Sequence, residues 1–244
     1  MSAISADVIK DLAPTGKVRA AINLGNPVLA QTDAAGKPAG ITPELAAGVA
    51  KRLGVPLELV PFDAAGKVFD ALKTGAWDIA FLAIEPVRAA EIEFTAPYVL
   101  IEGVYVVPEG SALKTIADVD QPGIRIAVAK GAAYDLYLSR TLKNATLVRS
   151  SLGPDAMDMF VADKLDAAAG VRQPAAEYVR THPGLRIIDQ RFMAIRQAMG
   201  TPKGRVAGAA FLNNFIEEMK ASGFVADALK RSNQPDAVVA PPGA

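Results

Sequence analysis

Six residues in a row, Ile79-Ala-Phe-Leu-Ala-Ile84, are apolar, with no polar residue among them. A strand with one wet face alternates apolar and polar side chains. A strand without alternation has both faces covered, as in a parallel sheet packed between helices. The run then meets Glu85-Pro86, which turns it into one polar helical turn carrying Arg88. In parallel α/β sheets, ligands sit outside the carboxyl ends of the strands. Ala83, Glu85 and Arg88 are therefore expected at the rim of a candidate site. Trp77, just before the run, reads as a packing residue.

The flanking segments repeat this alternation of strand and helix. A short helix over 5–12 precedes a first strand, 16–23. Thr42, Pro43 and Glu44 suit a helix start, and Gly54 suits its end. A strand over 55–60 and a helix over about 65–74 lead back to the apolar run. Two successive strand–helix–strand units imply right-handed crossovers and a parallel arrangement. The loop Asn23-Leu-Gly-Asn-Pro27 follows the first strand, where Gly25 permits a tight turn or a close ligand approach. Asn23 and Asn26 have two readings, turn chemistry and ligand contact. Phe62, just past a strand end, also has two, core packing and ligand lining.

The second half begins with an apolar strand over 99–107, with Gly103 inside it and a break at Pro108. A strand over 124–129 runs into Lys130-Gly-Ala-Ala-Tyr134, the junction with a helix over about 132–142. Free backbone N–H groups and the helix dipole at such a junction favour an anion. Lys130, Gly131, Ala132, Ala133 and Tyr134 are thus candidates. A strand over 146–149, a helix over 154–163 and a strand over 165–169 follow. The exit loop 170–174 carries Arg172, which reads either as a solvated arginine or as a carboxylate-binding fork. A strand over 185–189, a crossing strand over 192–199, an amphipathic helix, a last helix to about 231 and an extended Pro/Gly/Ala-rich tail complete the chain.

The 244 residues suffice for one large or two small cores. Basic and acidic residues number 26 each, which argues against general nucleic-acid binding. There is no cysteine, hence no disulfide and no thiolate metal site. The single histidine, His182, lies in Thr-His-Pro-Gly and reads as a surface loop residue. No metal and no cofactor are expected. No apolar run is long enough to suggest a membrane span. The start, Met1 to Asp7, has neither a basic segment nor an apolar core, so it does not read as a signal peptide. A leader removed before the present Met1 implies the periplasm, and a chain made without one implies the cytoplasm.

The stretch from Asp78 to Tyr98 resembles the bacterial extracellular solute-binding proteins that serve ABC importers of polar amino acids. Their pattern is Asp, an apolar strand, Thr/Ser-Pro-Glu-Arg, a short helix, then hydrophobic-Asp-Phe-Ser/Thr-x-Pro-Tyr. Asp78, Pro86, Arg88, Ile92, Glu93, Phe94, Thr95, Pro97 and Tyr98 stand in those places. Glu85 replaces the usual Thr or Ser, and Val87 the usual Glu. The likeness extends over roughly 10–231. It implies an α/β fold of two periplasmic-binding-protein-like (type II) lobes joined by two crossing strands. Lobe one would be 1–98 plus 198–244, and lobe two 99–197. It also implies a monomer that captures a small solute by hinge closure and hands it to an ABC permease. The same fold hosts a dehydratase, so a dehydratase-type enzyme and a ligand-sensing domain are the alternatives; neither a nucleophile–base pair nor a phosphate loop is legible.

In the family, a lobe-one aromatic stacks on the ligand and a lobe-two acid pairs with its ammonium. Here Asn23 and Asn26 flank the first place, with no aromatic. Gly170 to Arg172 fill the second, with no carboxylate. A buried ammonium without a partner is costly. The expectation is therefore a carboxylate-bearing organic acid, held by Arg88, the 130–134 turn and Arg172, with Glu85 as the residue that could restore an ammonium partner.

Overall fold

The computed structural model describes residues 4–151, 153–234 and 236–244. Met1 to Ala3, on which the leader reading rests, and Pro235 in the tail lie outside the described residues. The chain divides into two compact units, one of residues 1–100 and 196–244, the other of residues 101–195.

The first unit holds α1 (Ala6–Leu12), β1 (Val18–Asn23), the small pair β2 (Gln31–Thr32) and β3 (Pro38–Ala39), α2 (Ile41–Leu53), β4 (Leu57–Phe62), α3 (Ala65–Asp70), β5 (Ile79–Ala83), α4 (Pro86–Ala89) and the first part of β6 (Ile92–Pro108). The second adds the rest of β6, α5 (Ile116–Val119), β7 (Arg125–Ala129), α6 (Ala133–Thr141), β8 (Thr146–Ser150), α7 (Gly153–Ala162), β9 (Ala167–Val171), α8 (Arg172–Thr181), β10 (Leu185–Ile187) and the start of β11 (Met193–Pro202). β11 returns the chain to the first unit, which ends with α9 (Val206–Ala221), α10 (Phe224–Arg231) and β12 (Val238–Val239).

The apolar run is β5, buried at every position. β1 pairs with β4 and with β5, both parallel, as two strand–helix–strand units require. β11 lies antiparallel on the other side of β5. Ala21, Val68, Trp77, Ala80, Leu82 and Ile92 form a core against one face of this sheet. Trp77 is a packing residue, as read; its indole N–H donates to the Val68 carbonyl at 2.9 Å. In the second unit β7 pairs parallel with β8 and β9, and β6 lies antiparallel to β9. Val104, Ala127, Phe160 and Ala168 are at the centre of its core.

The structure moves several boundaries. α2 starts at Ile41 behind Gly40, whose φ of 113° suits glycine, so Thr42 is not the cap. The Thr42 hydroxyl donates instead to the Leu29 carbonyl at 3.4 Å. The helix expected over 65–74 is α3 followed by a 3-10 turn, Ala71–Thr74, stopped by Gly75 at φ 64°. The two stretches 92–98 and 99–107 are one strand, β6. β9 runs on through Val171, and Arg172 opens α8, so there is no exit loop. His182 caps the end of α8 and stacks on Tyr178 at 3.9 Å.

Tyr98 lies wholly inside the first unit, edge-on to Phe81 at 6.2 Å. Its hydroxyl has no hydrogen-bond partner among the described residues. A buried donor left unmade costs about 1–3 kcal/mol. Tyr98→Phe keeps the ring and removes that cost, so its melting temperature is expected to equal or exceed that of the parent chain. A lower value in a thermal melt would show that the hydroxyl is bonded.

Candidate functional site

In the first unit, the register of the parallel strands brings their carboxyl ends to one edge. Asn23 stands beside Phe62, and Ala20 beside Ile79. The Asn23 side chain accepts the Gly25 N–H at 3.0 Å, and that of Asn26 accepts the Val28 N–H at 3.3 Å. Both asparagines therefore build the turn. A side chain on Gly25 would stand 2.5 Å from the Asp63 carbonyl, so glycine serves a close approach of two chain segments. Phe62 packs against the core behind this edge.

Past β5 the backbone of Glu85 is extended, and Pro86 opens the single turn α4. The Glu85 carbonyl accepts the N–H groups of Arg88 and Ala89 at 3.0 and 2.8 Å. This turn folds the Arg88 side chain back, where its guanidinium donates to the Ala83 carbonyl at 3.0 Å. Arg88 is 1% exposed and Glu85 2%. Burial pulls the Arg88 pKa down to about 10, and the Glu85 carboxylate opposes that shift. At neutral pH the guanidinium is still charged. Val87, between them, points outward. The edge thus carries a buried guanidinium together with a buried carboxylate.

In the second unit the carboxyl ends of β7 and β8 lie level, Ala129 beside Ser150, with β9 in parallel register on the other side. The Lys130 N–H donates to the Ser150 carbonyl at 3.0 Å, and its side chain is exposed. Gly131 takes φ 73°, and its N–H donates to the Asp135 carboxylate at 2.8 Å. Ala132 is the cap residue of α6, and Ala133 and Tyr134 are buried in its first turn. Burial pushes the Tyr134 hydroxyl pKa upward. By helix geometry, the N–H groups of Ala133 and Tyr134 have no acceptor within the helix. This is the donor pair the junction can offer an anion.

Two residues here escaped the sequence reading. Asp135 is buried and also accepts from Arg149 at 3.0 Å, which fixes the shape of the turn. Its signal was an acid in a first helical turn behind a glycine. Glu102 is the only charged residue within the apolar run 99–107. The pairing of Gly103 with Val171 brings it beside Arg172. Arg172 donates to Glu102 and to the Asp189 carbonyl, and Arg191 donates to the other Glu102 oxygen at 3.2 Å. Arg172 is therefore held at this edge by a carboxylate that a neighbouring strand supplies. Among the described residues, no group of His, Asp and Glu side chains could hold a metal, and no helix is long and apolar enough to cross a membrane.

Each unit so presents a carboxyl strand edge with a cationic or donor-rich turn. The sequence profile of the bacterial extracellular solute-binding proteins, family 3, matches residues 18–232. The chain belongs to that family. Its fold is the two-lobed, periplasmic-binding-protein-like α/β fold, with β6 and β11 as the crossing strands. A mutant of ArgBP from T. maritima is similar at 23% identity and a TM-score of 0.79, covering 93% of this chain and 99% of that one. The cysteine-binding protein from Campylobacter jejuni is similar at 22% identity and a TM-score of 0.78, covering 93% and 91%. The ancestral amino acid-binding protein AncCDT-1, a precursor of cyclohexadienyl dehydratase, is similar at 23% identity and a TM-score of 0.76, covering 93% and 99%. No curated protein matches the chain. Family 3 membership makes this a solute-binding protein by family, in a fold that has also been carried toward an enzyme.

Proposed function

We propose that this family 3 protein is the solute-binding component of an ABC importer. It works outside the cytoplasmic membrane and binds without turnover. Its ligand is a small solute bearing a carboxylate, an organic acid or an amino-acid-like acid. The two units close on the solute about β6 and β11, and the loaded protein docks on a membrane permease. The observation that carries this reading is Arg88, a buried, charged guanidinium at the carboxyl edge of β5. The backbone donors of the α6 start support the same ligand charge from the second unit.

A thermal-shift panel tests the ligand class, because a solute that binds only the native state raises the melting temperature. Mono- and dicarboxylates, hydroxy acids, keto acids and acidic amino acids are expected to contain the ligands that shift it. At 100 times Kd the gain is about 2.7 kcal/mol. Shifts with lysine, arginine or histidine and none with any acid would overturn the anionic reading. Release of product from a cyclohexadienyl acid would overturn the reading as a binding protein.

A further inference from the structure

β11 brings one buried amide to the edge of the first unit that carries Arg88. Gln197 is 6% exposed. By the alternation of a strand, Met193, Ile195, Met199 and Thr201 share its face. The three apolar residues need no partner, and the Thr201 hydroxyl donates to the Asp78 carbonyl at 2.9 Å. The Gln197 side chain makes no hydrogen bond among the described residues, although its amide atoms are not wholly shut off from solvent. Buried polar side chains are as a rule bonded, because an amide taken from water without a partner is costly. A carboxamide left open at a strand end has donors and an acceptor ready for a group from outside the fold.

The register of β5 and β11 says where that amide stands. Gln197 is the partner of Ala83, the last residue of β5. The Ile84 N–H donates to the Arg196 carbonyl at 2.9 Å, so Ile84 and Arg196 form a hydrogen-bonded pair. Ala83 and Gln197 are then the neighbouring non-hydrogen-bonded pair, in which the side chains stand closest. In such a pair the carbonyl of Ala83 turns away from β11, and it is this carbonyl that the Arg88 guanidinium takes at 3.0 Å. Arg88 and Gln197 therefore flank Ala83, the guanidinium on the side away from β11 and the amide on β11 itself. Only a methyl side chain separates them.

We propose that Gln197 contacts the solute and reads a neutral polar group on the acid whose carboxylate Arg88 holds. This rests on the carboxylate-binding reading above. A carboxamide carries no charge and offers both donor and acceptor. A hydroxyl satisfies both, and an oxo group accepts from its N–H. A second charged group finds no counter-charge at this amide. The solute class narrows to small acids with a hydroxyl or oxo group close to the carboxylate.

Calorimetry on matched acids tests it, with lactate against propionate, malate against succinate and 2-hydroxyglutarate against glutarate. The parent chain is expected to bind at least one hydroxy acid about tenfold more tightly than its partner without the hydroxyl. In Gln197→Met, which keeps the shape and removes the amide, the two members of that pair should bind alike. Equal binding of every pair by the parent would overturn the proposal. So would a preference that survives in Gln197→Met, and a lowered melting temperature with that preference intact would assign the amide to the fold. If Gln197→Met does not fold, Gln197→Glu decides. Its added negative charge should weaken both members of the pair, and unchanged affinities would overturn the contact. If none of the six acids binds while other carboxylates do, this proposal falls and the proposed function stands. If no carboxylate binds at all, both fall.

Discussion

Asp78→Ala is expected to cost the protein about 3 kcal/mol of stability, the scale for breaking a buried ion pair from one side. Asp78 has no exposed surface. One carboxylate oxygen accepts the Arg19 backbone N–H and Nε at 3.1 and 2.9 Å. The other accepts Arg19 at 2.9 Å and Arg205 at 3.1 Å. Arg19 lies on β1, and Arg205 leads into α9, so one side chain joins β1, β5 and the return of the chain. The two guanidinium side chains are 21% and 24% exposed, and water takes up part of the loss, which places the estimate at the lower end. A fall in melting temperature of about 6–12 °C follows for a chain of this size. Asp78 precedes β5, whereas Arg88 follows it. Ligand affinity measured below the melting transition should therefore be retained. A melting temperature within a degree or two of the parent would show that the arginines find other partners.

Asp78 and Arg88 open and close the same short motif, yet they do different work, and the sequence alone did not separate them. What was legible rested on periodicity and on chain-breaking residues. The unalternating run Ile79 to Ala83 demanded cover on both faces, and β1, β4 and β5 follow in parallel register. Gly54 and Gly75 end their helical segments at positive φ, as their positions implied. The helix cap at Gly40 was hidden because Thr42-Pro43-Glu44 is a better local signal. It lost to the bond that Thr42 makes to Leu29, thirteen residues back in the chain. The same limit governed the site. Which side chains stand at strand ends could be read, but their partners come from other strands. Arg172 was visible; Glu102, which holds it, is 70 residues away and meets it only through the β6–β9 register. The glycine turn at 131 was visible; that its N–H is already taken by Asp135 depends on the helix that follows. Asn23 and Asn26 could be read in two ways, and their side chains bond to their own loop.

Arg88→Ala is expected to weaken carboxylate binding by about 2–5 kcal/mol, the cost of truncating one partner of a buried charge pair. This is roughly 30- to 5,000-fold in Kd. Calorimetry with the acid that the melting panel returns measures it. Arg88→Lys should recover part of the loss, since an ammonium keeps the charge but not the planar fork. Burial lowers the Arg88 pKa to about 10. A base whose folded pKa lies below its unfolded value is penalised at every pH below about 10, and the penalty lifts only as pH rises from there toward the unfolded value. Desolvation of the Arg88 guanidinium is thus a cost to the unliganded fold, which the Glu85 carboxylate offsets in part. A ligand carboxylate beside it offsets that cost, which links binding to thermal stabilisation. Arg88→Met, which fills the space without the charge, should abolish the shift produced by the acid. Unchanged affinity in Arg88→Ala would instead make Arg88 a brace for the β5–α4 turn, holding the Ala83 carbonyl, and would move the anion to the backbone donors of Ala133 and Tyr134.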